Sequence, residues 1–257
     1  MGGRSCPSWR PSSRCDDTRF DNCRSSSAGK PRKHSNNDPV SPDQTEGARR
    51  LAMFPLETVL FPGGVLPLHI FEPRYRQMMI DCLSGDSIFG VVLISRGSEV
   101  GGGDQRVAVA TEARIEEASR FADGRWAVIA CGIRRIVVES WLPEDPYPLA
   151  TVRSLPMAPV GADQAAVDEA AVAVRRAWAL VSELGRVPAW SDPPETDTAG
   201  DDPEAPVWHL CAAAPLGPMD RQRLLEIDAA AQRLSVLTEL SLQVAEDIHR
   251  LLAGGSS

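Results

Sequence analysis

The chain of 257 residues predicts an α+β fold, a mostly antiparallel β-barrel or sandwich followed by a bundle of helices, on three observations. Between positions 53 and 158 about seven β-type apolar segments alternate with turn signals. A single helical interval interrupts them early, after Glu72-Pro73. From Gly161 the apolar spacing changes to steps of three or four and holds that period almost to the end of the chain.

Each element follows from local chemistry. Residues 1–52 lack hydrophobic periodicity, hold few aliphatics and contain Ser25-Ser26-Ser27 and Asn36-Asn37-Asp38-Pro39, so they are expected to form a disordered tail that contributes nothing to folding. Strands are expected at 54–61 and 65–71 around the Pro62-Gly63-Gly64 turn. Pro73 suits a first helical turn, and Tyr75, Met78, Met79, Cys82 and Leu83 then recur at helical spacing as one buried face until Ser84-Gly85 stops the run. The apolar run 89–94 is a strand, and a glycine-rich loop at 97–104 separates it from 106–121. Ala122-Asp123-Gly124-Arg125 turns that strand into 126–131. After Gly132 a separate strand is expected at 133–139, and a last one at 149–155. Helices follow at 162–185, at 207–214 and, as one continuous element, at 220–252, where Leu224, Ile227, Ala231 and Leu234 begin a long stripe. Residues 188–206 form an acidic, proline-rich loop. The expected organisation is a tail at 1–52, a β-domain at 53–158 and a helical domain at 159–257.

Charge and composition exclude several functions. Residues 53–257 hold 17 basic against 29 acidic side chains, a net charge of −12, whereas residues 1–52 carry +4. An acidic body disfavours nucleic acid, because affinity for polyanions comes largely from cations that displace counterions. Both lysines, Lys30 and Lys33, lie in the tail. A P-loop ATPase, a Ser-Lys hydrolase and a Schiff-base enzyme each need a lysine in the folded part, so none of them is expected here.

The cysteines and histidines match no metal-site spacing, and no metal or other cofactor is expected. Residues 1–20 lack an apolar signal-peptide core, and charge-free stretches such as 58–71 are too short for a bilayer. A cytoplasmic protein without a membrane partner is expected, with Cys82, Cys131 and Cys211 reduced.

The stretch FPLETVLFPGGVLPLHIFEPRYRQMMIDCL, followed by FGVVLI, RVAVATEARIEEA and ACGIRRIVVES in that order, resembles the amino-terminal substrate-binding domain of Lon proteases. The later phrase PLGPMDRQRLLEIDAAAQRL is similar to stand-alone bacterial members of that group. The resemblance covers about Met53 to Leu252 and implies a PUA-like β-barrel followed by an α-helical bundle. It implies the recognition part alone, since the Walker and catalytic lysines of the full protease have no counterpart here. The paired CxxC of the zinc module joined to the related domain of cereblon is missing too.

Phe61, His69, Phe71 and Trp126 are the candidate peptide-binding residues. The three aromatic side chains form a sticky patch if they face outward, and core packing is the competing reading for each. His69 alternates with Leu68 and Ile70, and no acid or serine stands in register with it, so it is not read as catalytic. Glu72 is expected to cap the following helix. No catalytic residue is assigned. The expected function is non-catalytic binding of unfolded or apolar polypeptide segments; the alternative is a PUA-like RNA- or small-ligand-binding module.

Overall fold

The structure, a computed structural model, describes residues 47–97, 105–156, 163–185 and 204–254. The first 46 residues of the expected tail, most of the glycine-rich loop and nearly all of the acidic loop lie outside them. Among the described residues the fold is α+β, with seven strands in one sheet and five helices. The strands are β1 (Arg49–Leu56), β2 (Val65–Ile70), β3 (Ile88–Arg96), β4 (Gln105–Arg106), β5 (Val109–Arg120), β6 (Trp126–Leu142) and β7 (Leu149–Ser154). The helices are α1 (Pro73–Ser84), α2 (Gln164–Glu183), α3 (Ala205–Ala213), α4 (Pro218–Glu226) and α5 (Ala230–Gly254).

The pairings run β1-β7-β6-β5-β3 and return to β1, because β1 uses its two halves differently. Arg49–Ala52 pair antiparallel with β7, whereas Met53–Leu56 pair parallel with β3. β2 lies off this path and pairs with β6. Phe54, Ile70 and Phe89 pack together against Met78 of α1. Phe61 and Leu93 join Trp208, Leu224 and Leu237 in a second core between the sheet and the helices.

Three boundaries depart from the expectations. The tail does not extend to residue 52: Arg49–Ala52 are strand, Leu51 is only 5% exposed, and the Arg49 guanidinium donates to the buried Glu112 carboxylate. Four residues beginning with two arginines are too few to show a period, which is why the strand start is hidden. The strand expected at 54–61 ends at Leu56. The segment after it is fixed by a tertiary bond, the Thr111 hydroxyl donating to the Leu60 carbonyl at 2.6 Å.

β6 runs unbroken through Gly132, which is not a strand break. The Phe61 carbonyl presses on its Cα where a side chain would stand, so glycine admits a close backbone approach. The Gly63 N–H donates to the Gly132 carbonyl at 2.8 Å and the Gly132 N–H to the Gly64 carbonyl at 2.9 Å, stitching the turn before β2 onto β6.

The single helix expected at 220–252 is two. Ile227–Ala229 break it without proline or glycine, and a helix end leaves carbonyls that need donors. Arg135 of β6 donates to the Leu225 and Ile227 carbonyls at 3.1 and 3.3 Å and to the Asp228 carboxylate at 3.0 Å. Arg233 of α5 donates to the Ile227 carbonyl at 2.6 Å and pairs with the buried Glu204 at 3.3 Å. Its guanidinium lies 3.6 Å from the centroid of the Trp208 ring. Two buried arginines thus supply what the break removes.

Candidate functional site

β2 is half-buried, and its alternation creates the site. Leu66, Leu68 and Ile70 pack inward beneath α1, so Val65, Pro67, His69 and the following Phe71 lie on the opposite face. Phe71 is 56% exposed. Directly paired residues in an antiparallel ladder share a face, which sets Cys131, Ile129 and Ala127 of β6 beside Val65, Pro67 and His69. Ile129 and Val65 are exposed, and so is Phe121 at the end of β5, whose ring meets His69 edge to face at 6.0 Å. The result is an exposed apolar strip around one histidine.

Beside this strip lies a groove of about 180 Å³ lined by residues 67–72, residues 54–56 of β1 and Tyr75 of α1. Phe54 and Tyr75 pack with ring centroids 4.4 Å apart and planes tilted by 58°, so that wall is braced. Glu72 occupies the N-cap position of α1 without a side-chain capping bond, contrary to expectation. It accepts instead from Arg74 at 3.0 Å, and Arg74 also reaches Glu144 at 3.9 Å.

A larger recess of about 450 Å³ lies between α2 and α5, lined by Arg176, Leu180, His249 and Arg250 among others. Arg250 is paired with Asp247 at 3.0 Å, and the lining of the recess holds no Phe, Tyr or Trp. The β2 groove, with aromatic walls and an adjacent exposed strip, is the better binding surface.

The substrate-binding domain of ATP-dependent protease La (LON) matches residues 50–242 of this chain. The chain belongs to the LON substrate-binding domain family. The Lon protease of Flavobacterium johnsoniae is 32% identical over 107 residues, covering 41% of this chain and 13% of that protein. Lon protease 2 of Herpetosiphon aurantiacus is 27% identical over 210 residues, covering 78% of this chain and 25% of that protein. The chain therefore spans between an eighth and a quarter of the length of these relatives. The crystal structure of a Lon N-terminal domain protein from Xanthomonas campestris superposes with a TM-score of 0.54 at 27% identity, over 74% of this chain and 96% of that one. The N-terminal domain of Mycobacterium avium complex Lon protease shares the fold, with a TM-score of 0.50 at 19% identity.

Within this LON substrate-binding domain the four candidate residues separate. His69 and Phe71 line the groove. Phe61 does not reach the surface: it is 1% exposed, stacked on Trp208 at 5.8 Å and covered by the Arg221 guanidinium at 5.0 Å, so its assignment to a surface patch is corrected. Trp126 is half-buried at the far side of β2, paired with Ile70 and packed on the core beneath α1. Val65, Phe121, Ile129 and Tyr75 join the site without having been singled out. Val65 had a readable signal, since it stands in phase with Pro67, His69 and Phe71.

The LON domain's thiols are poorly suited to nucleophilic chemistry. Burial, reinforced by Asp86 and Asp81, pushes the Cys82 thiol up to about 12, and burial does the same to Cys211. Burial also raises Cys131. Among the described residues no three His, Cys, Asp or Glu side chains gather as a metal set, and no helix is long and apolar enough to cross a membrane.

Proposed function

We infer that the β2 strip and its groove hold unfolded or apolar polypeptide segments without cleaving them. The observation that carries this reading is Phe71, an aromatic side chain more than half exposed at a groove with aromatic walls. The ring of strand pairings supports reading the sheet as a PUA-like barrel, with the helices from residue 163 onward as its supporting bundle. The relatives that match this region are proteases in which it forms a small fraction of the length. Lysine is missing from the folded part, and the described thiols are held protonated at neutral pH, so a recognition role without turnover fits these residues. Free cysteines suit a reducing compartment, and we assign the protein to the cytoplasm.

RNA binding is the weaker reading. Arg49, Arg74, Arg106, Arg125, Arg134 and Arg153 of the sheet region each lie within ion-pair distance of a carboxylate, which leaves no basic stripe along these positions.

Fluorescence titration of a labelled, reduced and carboxymethylated unfolded polypeptide into the full chain tests the assignment. Saturable binding is expected at about micromolar affinity, equivalent to roughly −8 kcal/mol. Absence of saturation, with binding to single-stranded RNA in the same buffer, would reverse it.

A further inference from the structure

We propose that the client segment binds as an added β-strand along the free edge of β2, and that the site favours apolar segments flanked by Lys or Arg over those flanked by Asp or Glu. This rests on the polypeptide-binding reading and specifies its geometry. Among the described residues β2 pairs with β6 on one side, and its other edge borders the groove. The opposite wall is also a strand edge, because Phe54–Leu56 pair with β3 while the pairing of β1 with β7 stops at Ala52. An open edge is a row of backbone donors and acceptors, and an extended peptide is its natural complement.

Pro67 indicates which groups are presented. Proline has no N–H and within a strand sits with its nitrogen on the unpaired side. Ladder bonding alternates along a strand, so Val65 and His69, in phase with Pro67, turn their N–H and C=O groups to that same free side. The side chains of these residues stand on the exposed face, where Val65 and Phe71 can meet alternate side chains of the incoming strand. Proline also interrupts the row of donors, which hinders uncontrolled pairing of two copies of β2.

Charge selects the flanks. Glu72 is the one formally charged residue in the groove lining, and behind it Arg74 and Arg106 balance Glu72 and Glu144, with Arg106 taking the shorter bond to Glu144 at 2.7 Å. Residues 53–257 carry −12 in total. A body of this net charge, with a carboxylate as the charged group of the groove, attracts cationic flanks, with a strength that salt screens.

The test uses the full chain and the labelled decapeptide Lys-Lys-Val-Thr-Val-Phe-Val-Thr-Lys-Lys, followed by fluorescence anisotropy. Two analogues carry N-methyl groups on alternate core amides, one in each phase, and a third has Glu in place of every Lys. We expect at least one methylated analogue to bind tenfold or more weakly than the parent. The Glu-flanked peptide should bind at least threefold more weakly at 50 mM salt, with the gap closing at 500 mM. The variant His69→Pro removes an N–H from the free edge and should lose tenfold in affinity for the parent; the methylated peptides on the unaltered chain carry the test should that variant fail to fold. Equal binding of the parent and both methylated analogues would overturn strand addition while leaving polypeptide binding intact. So would failure of the parent peptide to bind a protein that holds the unfolded polypeptide. Equal binding of the Lys- and Glu-flanked peptides at low salt would overturn the charge preference. If neither the peptides nor the unfolded polypeptide binds, the functional reading falls, and this inference with it.

Discussion

Phe61 stacks on Trp208 with ring centroids 5.8 Å apart, joining the loop before β2 to α3. Phe71, at the other end of the same strand, is 56% exposed. Two phenylalanines that flank β2 therefore serve opposite ends, one tying the sheet to the helices and one facing solvent beside the groove.

Their alanine variants should separate accordingly. Phe61→Ala is expected to cost about 3–5 kcal/mol in chemical denaturation, the usual range for emptying a packed aromatic site. Phe71→Ala is expected to stay within about 0.5 kcal/mol of the parent, as exposed changes do, while weakening binding of an unfolded polypeptide. Comparable stability losses for the two would contradict the placement of both rings.

A chain shortened to begin at Met53 should be less stable than the full chain. It loses Leu51, whose burial is worth about 1.5–3 kcal/mol, and it removes Arg49 from the buried Glu112. Arg134 remains 3.7 Å from that carboxylate and offsets only part of the loss. A shortening that leaves residues 47–52 in place should preserve the denaturation midpoint of the described part, and calorimetry of the two chains side by side checks the difference.

Arg233→Met should destabilise by about 3–5 kcal/mol, because it leaves the Glu204 carboxylate buried without its guanidinium partner. The helix break at Ile227–Ala229 also loses donors to its carbonyls. Combining Arg233→Met with Glu204→Leu should recover part of the loss, since the uncompensated charge is then gone. A double variant no more stable than Arg233→Met alone would show that the carbonyl contacts, not the ion pair, hold the junction.

Alkaline pH should unfold the protein progressively. Cys82 and Cys211 ionise near 12 when folded but near the ordinary thiol value of 9.0 when unfolded. Their protonated forms therefore stabilise the fold fully below pH 9, and that contribution is lost as pH rises toward 12. The slope is about 1.4 kcal/mol per pH unit for each thiol. Cys211→Ala should flatten the dependence of denaturation free energy on pH over this window. An unchanged slope in that variant would remove Cys211 from the account.

Features that depend on neighbours along the chain are legible in the order of the residues alone. The alternation of β2 put His69 on the face opposite Leu68 and Ile70, Glu72-Pro73 marked the start of α1, and the period change after Gly161 announced the helices. These follow from backbone geometry and turn chemistry that a few residues suffice to express. Features that depend on distant partners emerge only once the chain is folded. Arg49–Ala52 became a strand because β7 lies beside them, Gly132 continued a strand because the Phe61 carbonyl needed the room, and the helix broke after Glu226 because Arg135 from β6 could satisfy the freed carbonyls. The separation of Phe61 from Phe71 has the same origin. Both are phenylalanines in apolar, β-type sequence, and only the arrival of Trp208 and Arg221 from the helices buries one and leaves the other at the groove.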